Sequence, residues 1–319
     1  MKISLLTPCL MALILAGSAV FAEDMRTFTD TQGRSMEATV LNCDEQNVTI
    51  QRADGQEFTF PVTRLCEADR AYLQTYMQKK MEEAIAADER LRPGNSFFVL
   101  MPELAGVNGG HVPQFGVRIP EAYDAAKPTP LLVWFADGRG SSWTDLPAEL
   151  VNQERFLIVA LPYPRNRLPE VAVEEGDIEQ FLELHTAMLK RVAEIVPNID
   201  QNIRIVGGNG SGAHVVGSAL DMEWSLFVDN FNAFILHEGG VSPHMRYRGA
   251  DRKLVLVSYG EKSERMASQQ RINAAMQESH AKLDLMGLKD SDRMLDDVGK
   301  KAIHDWIDNV AVPILSDSR

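Results

Sequence analysis

Apolar and polar positions change rhythm three times along this chain. From Arg26 to Val62 the apolar residues come in short bursts broken by turns: Arg26–Thr29, Met36–Leu41, Val48–Arg52, then Phe58, Phe60 and Val62 alternating with polar neighbours. Thr31-Gln32-Gly33 and Ala53-Asp54-Gly55 are hairpin-type turns between these strands. From about Glu67 the period lengthens to that of a helix, with Leu73, Tyr76 and Met77 on one face. The Lys-, Glu- and Ala-rich stretch from Gln78 to Leu91 continues it as a solvated connector, which Pro93-Gly94 ends.

Beyond residue 95 short apolar runs alternate with helical patterns. The runs are Phe115–Ile119, Leu131–Ala136, Phe156–Leu161, Ile203–Val206, Ala233–Leu236 and Leu254–Val257; the clearest helices span Ile178–Ile195 and Ser263–His280. Buried strands alternating with helices predict a doubly wound α/β fold, a parallel sheet covered on both faces. No internal repeat or low-complexity tract interrupts it. The expected organisation is a leader over 1–22, a small β module over 23–77, a helical linker over 78–95 and an α/β domain over 96–319.

The leader follows from a fourth rhythm, at the start of the chain. Lys2 is the only charge before Glu23, the apolar run Leu10–Val20 follows it, and Val20-Phe21-Ala22 puts small residues at the positions a signal peptidase reads. The run is shorter than the roughly 20 apolar residues a membrane span needs. Cys9 precedes the small residues, in the wrong place for a lipid-modified cysteine. The expectation is an exported protein, periplasmic or extracellular, with no membrane span after cleavage. Its net charge of −13 repels phosphate backbones, which makes nucleic acid a poor partner. After cleavage Cys43 and Cys66 remain, and an oxidising compartment makes either a disulfide or two buried thiols compatible with the sequence.

The frame Arg26-Thr27-Phe28-Thr29-Asp30, Gly33, Val48-Thr49-Ile50, Ala53-Asp54-Gly55, Pro61-Val62, Leu65-Cys66-Glu67-Ala68-Asp69 and Tyr72-Leu73 resembles SLA homology domain 1 over about residues 25–77. The resemblance implies a small barrel-like module serving as a binding unit or a spacer. Its usual residue at Cys66 is Ser, which suits a helix N-cap. A poorly capping Cys there, with a second Cys upstream in the same module, points to a Cys43–Cys66 bond.

The turn after Ile203–Val206 reads Gly207-Gly208-Asn209-Gly210-Ser211-Gly212-Ala213-His214 and enters a helix. Strand, tight glycine turn and helix form the setting of a nucleophile elbow. Residues 96–311 resemble the α/β-hydrolase superfamily, and within it exported serine esterases of the dienelactone-hydrolase and feruloyl-esterase type. The resemblance implies a Ser–His–acid triad, and the chain departs from it at each member. Gly210 holds the nucleophile's position. Ser263 holds that of the acid after Lys253–Ser258, with Glu261 and Glu264 nearby. No His lies between Gly287 and Met294, where Asp292 takes the vacant place. A frame shifted by one makes Ser211 the nucleophile, flanked by Asn209 and Ala213. In the oxyanion loop Ala136-Asp137-Gly138-Arg139-Gly140, Asp137 adds negative charge where a tetrahedral intermediate would develop more, and Arg139 sits beside it.

Asp137, Arg139, Asn209, Ser211, His214, His237 and Glu238 are the residues expected around a crevice at the carboxyl ends of the strands. The histidines lack metal-ligand spacing, and the acidic cluster Asp290, Asp292, Asp296 and Asp297 lacks the Gly and terminal Glu of a calcium loop. No metal or cofactor is expected. The sequence therefore predicts a non-catalytic, exported hydrolase-like protein that binds a small molecule, a saccharide or a protein. The alternative is an esterase of acylated saccharides or small esters using Ser211.

Overall fold

The computed structural model describes residues 25–164, 167–175, 178–240 and 244–317, so the expected leader over 1–22, with Cys9, lies outside the described residues. The chain divides into two compact units between Glu83 and Ala84. In the first, β1 (Arg26–Thr29), β2 (Ser35–Cys43), β3 (Asn47–Gln51) and β4 (Glu57–Pro61) form an antiparallel sheet in that order. Helix α1 (Glu67–Ala87) follows it. Alternation along the strands places Phe28, Ala38, Val40, Val48 and Ile50 on one face, where Leu65 and Leu73 complete a core of seven buried residues. So small a core makes the polar contacts around it matter. Asp69, 3 % exposed, accepts the Thr29 N–H at 2.6 Å and the Arg26 guanidinium at 2.7 Å, tying α1 to β1.

The expected Cys43–Cys66 bond is corrected here, because both cysteines are free thiols. The Cys66 thiol, just before α1, donates to Asp69 Oδ2 at 3.3 Å; Cys43 ends β2, with its sulfur 3.5 Å from the Asp44 carbonyl. Burial, and secondarily the Asp44 charge, raises the Cys43 thiol above its ordinary pKa and disfavours the thiolate that disulfide formation needs.

The second unit is the expected α/β architecture. Its strands are β5 (Ser96–Leu100), β6 (Gln114–Arg118), β7 (Thr129–Phe135), β8 (Leu157–Ala160), β9 (Ile199–Asn209), β10 (Ala233–His237), β11 (Leu254–Gly260) and β12 (Lys282–Leu288). They form one sheet in the order β12-β11-β10-β9-β7-β8-β6-β5. All neighbours are parallel except at β6, which runs against β5 and β8. The helices are α2 (Asp145–Ala148), α3 (Pro169–Glu175), α4 (Glu179–Ile195), α5 (Ser211–Asp221), α6 (Ser225–Val228), α7 (Met266–Glu278), α8 (Asp297–Trp306) and α9 (Val312–Ser316). Both faces of the sheet are covered: Leu131, Val133 and Phe135 of β7 join one core, Leu132 and Trp134 the other. That is why β7 reads as an unbroken apolar run rather than an alternation.

The edge strands are what the pattern of apolar runs missed. β5 is short, and β12 carries Lys282 and Asp284 among its apolar positions. Edge strands bury only part of their surface and need no continuous apolar run.

Candidate functional site

Every candidate crevice residue belongs to the carboxyl ends of β7, β9 and β10, to the turns that leave them or to the first turn of α5. β9 ends at Asn209 and α5 starts at Ser211, so the chain reverses through Gly210 alone. Gly210 has φ 54° and ψ −117°, a backbone that side-chain-bearing residues adopt only under strain. Its N–H donates to the His237 carbonyl at 2.9 Å, fixing the turn against the end of β10. The strand–turn–helix geometry of an elbow is therefore intact, and its apex has no side chain.

The side chain of Asp137, from the loop after β7, occupies that volume. A Cβ added to Gly210 would lie within 2.6 Å of the carboxylate's farther oxygen and closer still to Oδ1. Oδ1 accepts the N–H of Ser211 at 2.8 Å and that of Gly138 at 2.7 Å. In an elbow enzyme the amide after the nucleophile and an amide of this loop are the donors that receive the developing oxyanion. Here a carboxylate of the chain's own accepts from both. Asp137 is exposed, and no ion pair links it to the equally exposed Arg139 among the described residues.

Ser211 opens α5 with its amide committed to Asp137. Among the described residues no hydrogen bond joins its hydroxyl to an imidazole. His214, one turn further along α5, is half-buried. Burial lowers its pKa, Glu170, Asp137 and Glu174 work against that shift, and Arg265 reinforces it. Asn209 is committed elsewhere, its side-chain oxygen accepting the Trp134 indole N–H at 3.2 Å.

The positions expected to be vacant have become structural. Ser263 is 8 % exposed and its hydroxyl donates to Glu238 Oε2 at 2.7 Å; Glu238 Oε1 accepts the Gly260 N–H at 2.6 Å. Glu238 is thus a buried carboxylate bracing the turn after β11. Its pKa is raised, first by burial, although the two donors oppose the shift. It also adopts φ 53°. His237 is fully buried with Nδ1 3.0 Å from Ser258 Oγ, and burial holds its pKa at about 4, so it is neutral at pH 7. Asp292 is exposed and accepts the Met294 N–H at 2.8 Å in its own turn. Asp296 caps α8 through Gly299 N–H at 2.9 Å, and Asp290 pairs with Lys262 at 2.9 Å. Among the described residues no three His, Cys, Asp or Glu side chains gather as metal ligands.

The structure thus brings together Asp137, Gly210, Ser211 and His214. It places His237 and Glu238 beneath the turn as braces and Asp292 out in solvent. Sequence reasoning treated Asp137 as a liability to an oxyanion hole and missed that it fills one. The available signal was the pairing of two departures, a carboxylate in the oxyanion loop together with a glycine where a side chain belongs. A cavity of about 570 Å³ lies elsewhere: Asn198, Asp200, Asn202 and Arg204 line it at the opening of β9, the end of that strand away from the elbow.

No family model matches the chain, and no curated protein does. Solved structures resemble it. A hyperthermophilic esterase from the archaeon Pyrobaculum calidifontis aligns with a TM-score of 0.51 at 11 % identity, covering 75 % of this chain and 89 % of the esterase. A dienelactone hydrolase-like promiscuous phosphotriesterase from metagenomic libraries gives 0.50 at 14 %, covering 70 % and 98 %. An S-formylglutathione hydrolase from Staphylococcus aureus gives 0.50 at 11 %, covering 68 % and 98 %. The second unit has the α/β-hydrolase fold. At these identities the likeness extends to the fold alone.

Proposed function

We propose that the second unit is a hydrolase fold turned to binding: it holds a small molecule, a saccharide or a protein at the crevice above the elbow and does not cleave esters through a serine. The observation that carries this reading is the Asp137 carboxylate seated over Gly210 and bonded to the Ser211 and Gly138 amides. Acyl transfer needs a nucleophile, a base in reach of it and free donors for the oxyanion. The apex lacks the first, the Ser211 hydroxyl lacks the second, and Asp137 consumes the third.

A second reading is an esterase of acylated saccharides or small esters working through Ser211. What favours it is that solved structures sharing this fold include an esterase, a promiscuous phosphotriesterase and an S-formylglutathione hydrolase. One experiment separates the two. The full chain is treated with a serine-directed fluorophosphonate and assayed on nitrophenyl esters and acylated sugars. The binding reading expects no label at Ser211 and turnover no faster than a Ser211→Ala variant. Label and turnover that both vanish in Ser211→Ala would establish the esterase.

The first unit, a four-stranded sheet with one helix, is read as an SLA homology domain 1-like binding module or spacer, on the motif frame of residues 25–77. The chain is read as exported to the periplasm or beyond, on the Lys2, Leu10–Val20 and Val20-Phe21-Ala22 order. N-terminal sequencing of protein from an exporting host is expected to start near Glu23, and an intact Met1 in the membrane fraction would overturn export. No helix among the described residues is long and apolar enough to cross a membrane.

A further inference from the structure

The cavity of about 570 Å³ at the opening of β9 holds a cation without a partner. Arg204 is partly buried in its lining, and only its Nε is engaged, donating to the Asp200 carbonyl at 2.8 Å. Among the described residues its two terminal nitrogens make no hydrogen bond and no ion pair. Burial lowers the Arg204 pKa and the Asp200 charge opposes that shift, but a guanidinium keeps its proton at neutral pH. Asp200 is the one carboxylate of this lining, and its Oδ1 accepts the Asn202 N–H at 2.8 Å and the Ile203 N–H at 3.1 Å. The acids next along the chain have cations of their own: Asp124 pairs with Lys127 at 2.8 Å and Glu194 with Arg191 at 3.3 Å.

A second cavity, of about 260 Å³, shares Asn202 with the first. There Arg252, Lys253 and Lys282 stand against Asp251 alone. In a chain of net charge −13, this end of the sheet is therefore lined by more cations than acids. A local field of that sign draws an anion, and the planar fork of Arg204 fits a carboxylate through two parallel hydrogen bonds.

The rest of the lining decides what the carboxylate is attached to. Asn198 donates to the Ala125 carbonyl and Gln201 to the Ile199 carbonyl at 3.2 Å, while the Asn202 side chain makes no hydrogen bond among the described residues. Three side-chain amide oxygens thus face the cavity's ligand with no donor of the protein's own. A purely apolar body would strip them of water and return nothing, which costs affinity. Hydroxyl groups would replace that water bond for bond. Between the amides, Pro128, Ala193 and Ile199 offer apolar wall for the C–H face of a ring. The volume falls within the roughly 300–1,000 Å³ of ligand cavities and has room for more than one sugar ring. We infer that this cavity binds a uronic acid or a short chain of them, with a carboxylate on Arg204 and hydroxyls on the amides of Asn198, Gln201 and Asn202. The site is separate from the crevice above the elbow and does not depend on what that crevice holds.

Isothermal titration of the full chain with digalacturonate at neutral pH is expected to give a dissociation constant on the order of 100 µM. The uncharged galactose disaccharide should bind at least about tenfold more weakly, the scale of one charge-assisted pair. Benzoate, a carboxylate without hydroxyls, and inorganic phosphate, an anion without a ring, should fall short by a similar factor. Arg204→Met keeps the apolar stem, loses the fork and should weaken digalacturonate at least about tenfold. Ala193→Trp, at an exposed position of α4, fills the cavity without touching Arg204 and should abolish binding. Circular dichroism and the unfolding midpoint establish that each variant is folded, and Ala193→Trp carries the test alone if Arg204→Met is not. No binding of digalacturonate at about 5 mM would overturn the inference. So would digalacturonate held equally well by the folded variants, which would place it elsewhere on the chain. Galactose disaccharide, benzoate or phosphate bound as tightly as digalacturonate would overturn it too.

Discussion

Replacing Gly210 by serine, the substitution that would restore a nucleophile to the elbow, is expected to destabilise the second unit by about 4 kcal/mol and to leave ester turnover at background. Two costs add. A side chain at φ 54°, ψ −117° stores about 1–3 kcal/mol of backbone strain. The new Cβ also overlaps the Asp137 carboxylate, and overpacking of this kind costs about 1–3 kcal/mol more. The carboxylate cannot simply swing away, because the Ser211 and Gly138 amides would lose their acceptor. Hence the decisive comparison is the double variant Gly210→Ser with Asp137→Gly. It removes the overlap and frees both amides, so urea unfolding should recover about half of the lost stability while turnover stays absent. Turnover in the double variant would mean that an imidazole reaches the new hydroxyl, and would overturn the binding reading. Equal stability of Gly210→Ser and the wild type would mean that Asp137 does not occupy the elbow.

The sequence carried the fold further than the site, and the reason is physical. Runs such as Leu131–Ala136 and Leu254–Val257 are apolar throughout because both faces of the sheet are covered, so they announce buried strands without any alignment. The turn Gly207–Gly212 announces the elbow because only glycine tolerates its backbone and the close approach of α5. What a linear reading cannot supply is which distant side chain enters the space a missing one leaves. Asp137 and Gly210 are 73 residues apart in number order but share one volume. Glu238 was the same kind of miss. Grouped with His214 and His237 as a crevice residue, it proves to be spoken for by Gly260 and Ser263. Cys66 misled in the opposite direction: its oddity as a capping residue suggested a disulfide, whereas the thiol donates to Asp69 three residues on.

That contact leads to the second large effect. Asp69→Ala is expected to destabilise the first unit by about 3 kcal/mol while leaving the second unchanged. Removing the carboxylate strands the Arg26 guanidinium and the Thr29 N–H, and breaking a charged pair with a buried member costs on this scale. With only seven residues in its core, the unit has little to offset the loss. Hydrogen exchange resolves the two units: amides of β2 and β3 should lose protection and those of β9 and β10 should keep it. Acid supplies an independent check. Burial works against the Asp69 charge, but the Thr29 N–H, Arg26 and Cys66 outweigh it and hold the carboxyl below its ordinary pKa. A carboxyl lowered in the fold stabilises fully above its unfolded value of about 3.9, and that stability is lost as pH falls through the lower folded value. The wild-type first unit should therefore weaken steadily below about pH 4, while Asp69→Asn, already weakened, should show a flatter dependence there. Asp30 and Asp44 are also lowered; they contribute equally to both proteins and cancel in the comparison. Parallel acid curves for wild type and Asp69→Asn would remove Asp69 from the role of tying α1 to β1.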